Sequence, residues 1–143
     1  MSATLDTLPT LLGKVDQPVT PFGLADDVER GLPLATLERV AQAVAPEDGG
    51  FIYRLVPRAT LIRRRTQPGS RLTIEESARV VRLAAVWSLA KEVWKDDAAA
   101  RRWLFKPHMM LEDRRPIDVV LASEFGRPLV ENILGGLLYG TAV

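Results

Sequence analysis

Arginine side chains are concentrated in residues 49–74, which we call the arginine segment. It contains six arginines and no acidic residue: Arg54, Arg58, Arg63, Arg64, Arg65 and Arg71. A guanidinium group binds phosphate oxygens in pairs and also hydrogen-bonds the edge of guanine in the major groove of DNA. The arginine segment therefore indicates contact with nucleic acid. The alternative is a solvated arginine face that binds nothing.

Turn residues divide the arginine segment as in a helix-turn-helix motif. Breaks are predicted at residues 46–50 and 56–57, and residues 58–65 are predicted to be the recognition helix. The side chains expected to contact DNA are Arg58, Thr60, Arg63, Arg64 and Arg65. The turn before that helix, Leu55–Val56–Pro57, lacks the usual small residue. The motif is therefore degenerate, a departure that would weaken or abolish operator binding.

The C-terminal segment is unusually apolar. Six side chains at helical spacing form a surface too broad for one half-buried stripe: Leu129, Val130, Ile133, Leu134, Leu137 and Leu138. Gly135 and Gly136 interrupt this helix, each lowering its propensity by about 1 kcal/mol relative to alanine. Such a helix either packs on the chain's own core or enters a groove of a partner protein.

Residue types exclude much of the usual catalytic and metal-binding chemistry. The chain has no cysteine and a single histidine, His108, which excludes thiol nucleophiles and cysteine-ligated metals and argues against a catalytic triad. The paired acids Glu75–Glu76 and Asp96–Asp97 lie at predicted helix starts, where the helix dipole explains them. We predict no catalytic residue, no metal and no cofactor; an enzyme is only the third possibility.

Composition is that of an ordinary globular protein. The chain has 143 residues, of which 47% are hydrophobic and 26% charged, and its formal net charge is +1. One domain or two very small ones are therefore expected, and the overall charge predicts no affinity for membranes or nucleic acid. No signal peptide is expected, because residues 1–6 lack a basic region and an apolar stretch, and without a run of about 18 apolar residues no transmembrane helix is expected. A cytoplasmic location is expected.

Helical periodicity extends through most of the chain, and no segment alternates as a strand does. Apolar residues recur at three- and four-residue spacing after Leu32. A long helix is predicted for residues 73–94, where Thr73 and Glu76 form a capping box. Shorter helices are predicted towards the C-terminus, at residues 98–105, from Pro116 and from residue 127 onward. The sequence therefore predicts an all-α fold.

Three regions are predicted. Residues 1–30 form a weakly held arm, because prolines and glycines in residues 17–23 break regular structure. Residues 31–72 form the degenerate helix-turn-helix region. Residues 73–143 contain the long helix and a small helical C-terminal domain. Three tryptophans are expected in helical core positions: Trp87, Trp94 and Trp103.

Several short motifs, in this order, resemble the Xre/MbcA/ParS family of bacterial antitoxins. In the first half they are Gly31–Leu32–Pro33, Arg63–Arg64–Arg65 and Leu72–Thr73-x-Glu75–Glu76–Ser77-x-Arg79-x-x-Arg82–Leu83. In the second half they are Trp103–Leu104-x-x-Pro107, Pro116–Ile117–Asp118, Gly126-x-x-x-Val130-x-x-x-Leu134 and Tyr139–Gly140. The resemblance covers residues 31–143 and leaves the N-terminal arm unmatched.

The resemblance implies a toxin as partner. Family members pair with a RES-domain toxin, which destroys NAD⁺ or transfers ADP-ribose, and their C-terminal toxin-binding domain covers its active-site entrance. Their helix-turn-helix part dimerises and represses the operon. The residues expected to bind the toxin are Trp103, Val130, Leu134, Leu137, Leu138, Tyr139 and Gly140, with residues 134–143 reaching the pocket. Relatives have a polar or charged tail here, so an apolar, steric block is expected.

A second interpretation keeps only the DNA-binding half of this function. The chain would then be a stand-alone helix-turn-helix regulator without a toxin, and its C-terminal helix would serve dimerisation. The two hypotheses differ in whether the neighbouring reading frame encodes a protein of toxin size.

Overall fold

Helices form the regular secondary structure of the computed structural model, which describes residues 8–14 and 17–140. No strand occurs in those ranges, so the predicted all-α fold is confirmed. Residues 1–7 of the predicted arm and the last three residues of the predicted toxin-binding segment lie outside the described part. The chain divides into an N-terminal unit, Pro9–Val81, and a C-terminal unit that begins at Arg82.

The N-terminal unit consists of short helices followed by the start of a long one. Its elements are a helical turn at residues 9–11, α1 (Pro21–Arg30), α2 (Leu34–Val44), a 3₁₀ helix (Phe51–Arg54), α3 (Arg58–Arg65) and the first turns of α4 (Ile74–Trp94). Its core is made of side chains with no exposure or almost none: Leu37, Val40, Val44, Phe51, Leu55, Val56, Leu61, Leu72 and Val80.

Helix α1 begins where the sequence predicted a break. Pro21 opens the helix instead of interrupting it, because its missing N–H falls in the first turn, where no intrahelical partner exists. The Thr20 hydroxyl caps this end by accepting a hydrogen bond from the N–H of Gly23 at 3.0 Å. A proline after a capping threonine is therefore a helix start here.

The described part of the predicted arm packs within its unit. Leu11 and Leu12 are buried, with 8% and 7% exposure. Arg39 donates from Nε to the carbonyl of Leu11 at 3.1 Å, and Lys14 pairs with Asp27 at 2.8 Å. These contacts tie residues before α1 to both α1 and α2.

The segment between α1 and α2 is fixed by backbone contacts. Gly31 has φ +82°, and a Cβ there would lie 2.3 Å from the carbonyl oxygen of Leu72, so only glycine fits. The N–H of Leu32 donates to the Ser77 hydroxyl on α4 at 2.9 Å, and Leu72 donates to the Leu32 carbonyl at 2.9 Å. These bonds hold the start of α2 against the start of α4.

Helix α4 continues from the N-terminal into the C-terminal unit. From Val80 to Ser88 every side chain except Arg82 is buried, as expected of a helix that is apolar on all sides. Trp87, at 1% exposure, is a core residue as predicted. Trp94 is 38% exposed and Trp103 is only half-buried, so the expectation of three core tryptophans was wrong for these two.

The C-terminal unit contains the rest of α4 and three further helices: α5 (Asp97–Leu104), α6 (Pro116–Ala122) and α7 (Gly126–Tyr139). Asp96 caps α5 by accepting from the N–H of Ala99 at 2.9 Å. A 3₁₀ turn, Met109–Leu111, lies between α5 and α6. Arg82 donates to the carbonyl of Val120 at 2.9 Å and thereby satisfies the C-terminal end of α6.

Candidate functional site

The predicted recognition helix exists as α3, and one side chain anchors it. Leu61 has no exposure, whereas Arg58, Ala59, Ile62 and Arg63 are exposed. No acidic residue lies in the first turn and no side chain caps it, since Pro57 occupies the N-cap. The free N–H groups and the positive end of the helix dipole therefore favour phosphate at this end.

The arginines predicted to contact DNA have different roles in the structure. Arg63 is exposed and forms no ion pair with any residue that the structure describes. Arg58 is exposed and lies over the ring of Tyr53, 5.4 Å from its centroid. Arg65 is 42% exposed and pairs with Glu38 at 3.3 Å. Thr60 is half-buried. Arg58 and Arg63 are the arginines of α3 best placed to bind phosphate.

Arg64 is engaged inside the unit. Its guanidinium donates to Oε1 of Glu76, and the two side chains are 14% and 11% exposed. The same carboxylate accepts from the N–H of Thr73 at 2.9 Å, while Glu76 N–H donates to the Thr73 hydroxyl at 3.1 Å. The capping box predicted at the start of α4 is confirmed, and Arg64 connects it to α3. In this conformation Arg64 positions the recognition helix.

Glu76 carries the charge on which this network depends. Burial raises the pKa of the Glu76 carboxyl. The hydrogen bonds from Arg64 and Thr73, together with the positive charge of Arg64, lower that pKa by more, so it lies below its ordinary value. A carboxyl whose pKa is lower in the folded than in the unfolded chain stabilises the fold above its ordinary pKa. That stabilisation is lost as the pH falls through the lowered pKa.

Replacing Glu76 by glutamine is therefore expected to lower the free energy of unfolding by about 1–3 kcal/mol at neutral pH, because Arg64 loses its buried partner. The deficit should stay constant from neutral pH down to the ordinary pKa of glutamate, about 4.3, and shrink as the pH falls below it through the lowered pKa of the wild-type carboxyl. Urea unfolding at several pH values measures it. Glu75→Gln is the matched control: Glu75 is the exposed neighbour, and its change should have little effect. A deficit independent of pH would contradict the assignment.

The C-terminal unit presents the second set of predicted residues, on α7. Val130 and Leu134 have no exposure and Ile133 has 4%, so these side chains form the unit's own core. Leu137 is 44% exposed and Tyr139 is 79% exposed, Leu138 is half-buried, and Gly140 is exposed with φ +70°. Val130 and Leu134 therefore hold the helix from inside, and the last turn offers its apolar side chains to solvent.

Helix α7 is held rigidly at its start. Gly126 approaches α6 so closely that a Cβ would lie 1.9 Å from the carbonyl oxygen of Val119. Arg127 pairs with Glu131 one turn later, at 3.1 Å. The exposed last turn is therefore the end of a helix whose first turns are fixed by packing.

Trp103, the remaining predicted toxin contact, lies apart from α7 in sequence. It is half-buried, and its indole meets the His108 ring edge to face, with centroids 5.8 Å apart. His108 Nδ1 accepts from the N–H of Met110, which fixes the 3₁₀ turn. Leu129, one of the six apolar side chains at helical spacing, is exposed as well. Met109, Met110 and Phe125 are further exposed apolar side chains of this unit, and helical spacing gave no reason to expect these three at the surface.

Both halves of the chain match known families. Residues 23–85 match the antitoxin Xre-like helix-turn-helix domain, and residues 89–140 match the antitoxin Xre/MbcA/ParS C-terminal toxin-binding domain. The chain belongs to the Xre/MbcA/ParS antitoxin family. A comparison with curated proteins finds no match. The resemblance drawn from the sequence motifs is thus confirmed.

The two family matches separate the arginines of α3 from the exposed last turn of α7. The helix-turn-helix match contains α3 with its arginines, and the toxin-binding match contains α5, α6 and α7. The helix-turn-helix match begins at residue 23, inside α1, which the sequence had placed in the predicted arm. The exposed last turn of α7 falls at the end of the toxin-binding match.

Within the described ranges, the antitoxin brings no three histidine or acidic side chains close enough to hold a metal ion. None of the helices in those ranges is long and apolar enough to cross a membrane. The families that match are antitoxin families, whose members act as regulators. The absence of catalytic activity in this chain stays a prediction.

Proposed function

We propose that this antitoxin neutralises a RES-domain toxin by covering the entrance of its active site with the last turn of α7. The observation that carries the proposal is the exposed apolar end of this helix, formed by Leu137 and Tyr139, beyond a buried core. Each such side chain that becomes buried in a complex contributes roughly 1.5–3 kcal/mol. No charged side chain lies in this turn, so the block would be steric.

The proposed partner is tested by expressing the antitoxin with the protein encoded in the adjacent reading frame. Co-purification, restored growth and restored cellular NAD⁺ are the expected results. If the neighbour depletes NAD⁺ and the antitoxin does not restore it, neutralisation by occlusion is wrong. If no toxic neighbour exists, the chain is the stand-alone regulator that the sequence analysis kept as its alternative.

We further propose that the antitoxin acts in the cytoplasm as a homodimer that binds its own operator and represses transcription. A dimer places two copies of α3 in successive major grooves of one face of the DNA. The exposed guanidinium groups of Arg58 and Arg63 support this proposal, because both can bind phosphate without breaking an ion pair of the unit.

Replacing Arg58 and Arg63 together by alanine is expected to weaken binding to the promoter fragment about 10- to 100-fold. Each phosphate contact removed lowers the slope of log K against log[salt] by about 0.9, so the slope should fall by at least about 0.9. Mobility-shift titrations at several salt concentrations measure both quantities. Arg102→Ala, an exposed arginine of α5, is the control. Unchanged affinity together with an unchanged slope in the double variant would assign Arg58 and Arg63 to solvent.

A further inference from the structure

The outward face of α3 is not uniformly basic. Ala59, Ile62, Arg63 and Thr66 follow one another at positions i, i+3, i+4 and i+7, so they share one helix face. All four are exposed, and Ile62 is 50% exposed. Since Leu61 is buried on the opposite side, this face, which we call the reading face, points away from the unit.

The chemistry of the reading face differs from that of its flanks. It holds a methyl group, a branched aliphatic side chain, one guanidinium and one hydroxyl. The other arginines of α3 lie beside it: Arg58 rests on the Tyr53 ring, Arg64 pairs with Glu76, and Arg65 pairs with Glu38. Phosphate binding explains arginines at the flanks, but it does not explain an exposed isoleucine between them.

The Thr66 hydroxyl donates to the carbonyl of Arg63 at 2.7 Å. For the aliphatic side chains and the guanidinium, the floor of the major groove offers partners. The C5 methyl group of thymine is the apolar feature of that surface, and guanine presents N7 and O6 to a guanidinium. Ile62 and Arg63 are adjacent in sequence, about 1.5 Å apart along the helix axis. Base pairs are about 3.4 Å apart along a strand, so these two side chains reach the same or neighbouring base pairs.

We propose that Ile62 contacts a thymine methyl group in the base pair next to a guanine that Arg63 binds, and that this pair of contacts determines the operator sequence. This inference rests on the proposed binding to operator DNA. It assigns base recognition to Ile62 and Arg63, with Ala59 widening the apolar surface, and leaves phosphate binding to Arg58 beside them.

The test uses a DNA duplex enriched from a random 20-base-pair pool by the full-length wild-type protein. The same duplex is then synthesised with deoxyuridine in place of thymidine, one position at a time, which removes only the methyl group. For wild type, substitution of one thymidine in each half-site is expected to raise Kd about fourfold, which is the effect of one buried methyl-sized group. Ile62→Ala should bind the thymidine duplex and the deoxyuridine duplex with the same affinity. That affinity should equal the affinity of wild type for the deoxyuridine duplex.

The control is Ile74→Ala, which removes an equally exposed isoleucine, 56% exposed at the start of α4. It should retain the wild-type sensitivity to the methyl group. If a sequence is enriched but no deoxyuridine substitution weakens binding, the inference is overturned while operator binding stands. If no sequence is enriched, operator binding itself fails.

A third result would also overturn the inference. If Ile62→Ala weakens binding to both duplexes alike and shifts the protein from dimer to monomer in sedimentation experiments, the reading face is a contact between protein chains. Thermal unfolding of both isoleucine variants shows whether each remains folded, and Ile62, as a half-exposed side chain, is expected to change Tm little.

Discussion

Antitoxin in which Leu137 and Tyr139 are both replaced by aspartate is expected to fold normally and to fail to neutralise its toxin. The two side chains are 44% and 79% exposed, so carboxylates there stay in water in the free protein. In the proposed complex they would be buried without partners, which costs several kcal/mol. The lost apolar burial adds about 3–6 kcal/mol for the pair, so binding should weaken at least about 100-fold.

Two measurements check this result. Calorimetric titration of a catalytically inactive form of the adjacent-frame protein gives Kd, and growth of cells that carry the active form gives neutralisation. Phe22→Asp is the control, since Phe22 is 83% exposed on α1 in the N-terminal unit and its change should leave both readouts at wild-type level. Full protection by the Leu137/Tyr139 variant would show that the end of α7 does not contact the toxin.

Point substitutions are better suited to this question than removal of residues 134–143. Leu134 has no exposure and fills the core of the C-terminal unit. Deleting it would leave a cavity and destabilise the unit by about 2–5 kcal/mol, so lost neutralisation would have two explanations. Leu137 and Tyr139 lie beyond that core, and changing them separates binding from folding.

Local chemistry could be predicted from the sequence wherever a few adjacent residues decide the structure. Thr73 and Glu76 satisfy each other's backbone groups within one turn, which is why the start of α4 was predicted to within one residue. Pro21 was misinterpreted for a related reason. Proline opens a helix as readily as it breaks one, and the capping hydroxyl of Thr20 decides between the two.

Long-range pairing could not be predicted in the same way. Arg64 looked equivalent to Arg63 in sequence, but its partner Glu76 is twelve residues away on another helix. Likewise, periodicity puts Val130, Leu134 and Leu137 on one apolar stripe of α7. It does not show where the helices that cover this stripe end. Whether Leu137 is exposed depends on where those covering helices end, and only the folded structure shows this.

The packing of α6 against α7 predicts a second large effect, at Gly126. A Cβ at this position would lie 1.9 Å from the carbonyl oxygen and 2.7 Å from the carbonyl carbon of Val119. Neither atom belongs to a flexible side chain, so the backbone of α6 would have to move. Gly126→Ala is therefore expected to destabilise the C-terminal unit by about 3 kcal/mol or more.

Gly135→Ala is the matched control, because the same substitution on the same helix should act in the opposite direction. A Cβ at Gly135 meets nothing within 4 Å, and alanine is favoured over glycine inside a helix by about 0.5–1 kcal/mol. Denaturant unfolding of the two variants should place their midpoints on opposite sides of wild type. If Gly126→Ala were as stable as wild type, α7 would not pack against α6 at this distance, and the support proposed for its exposed last turn would be absent.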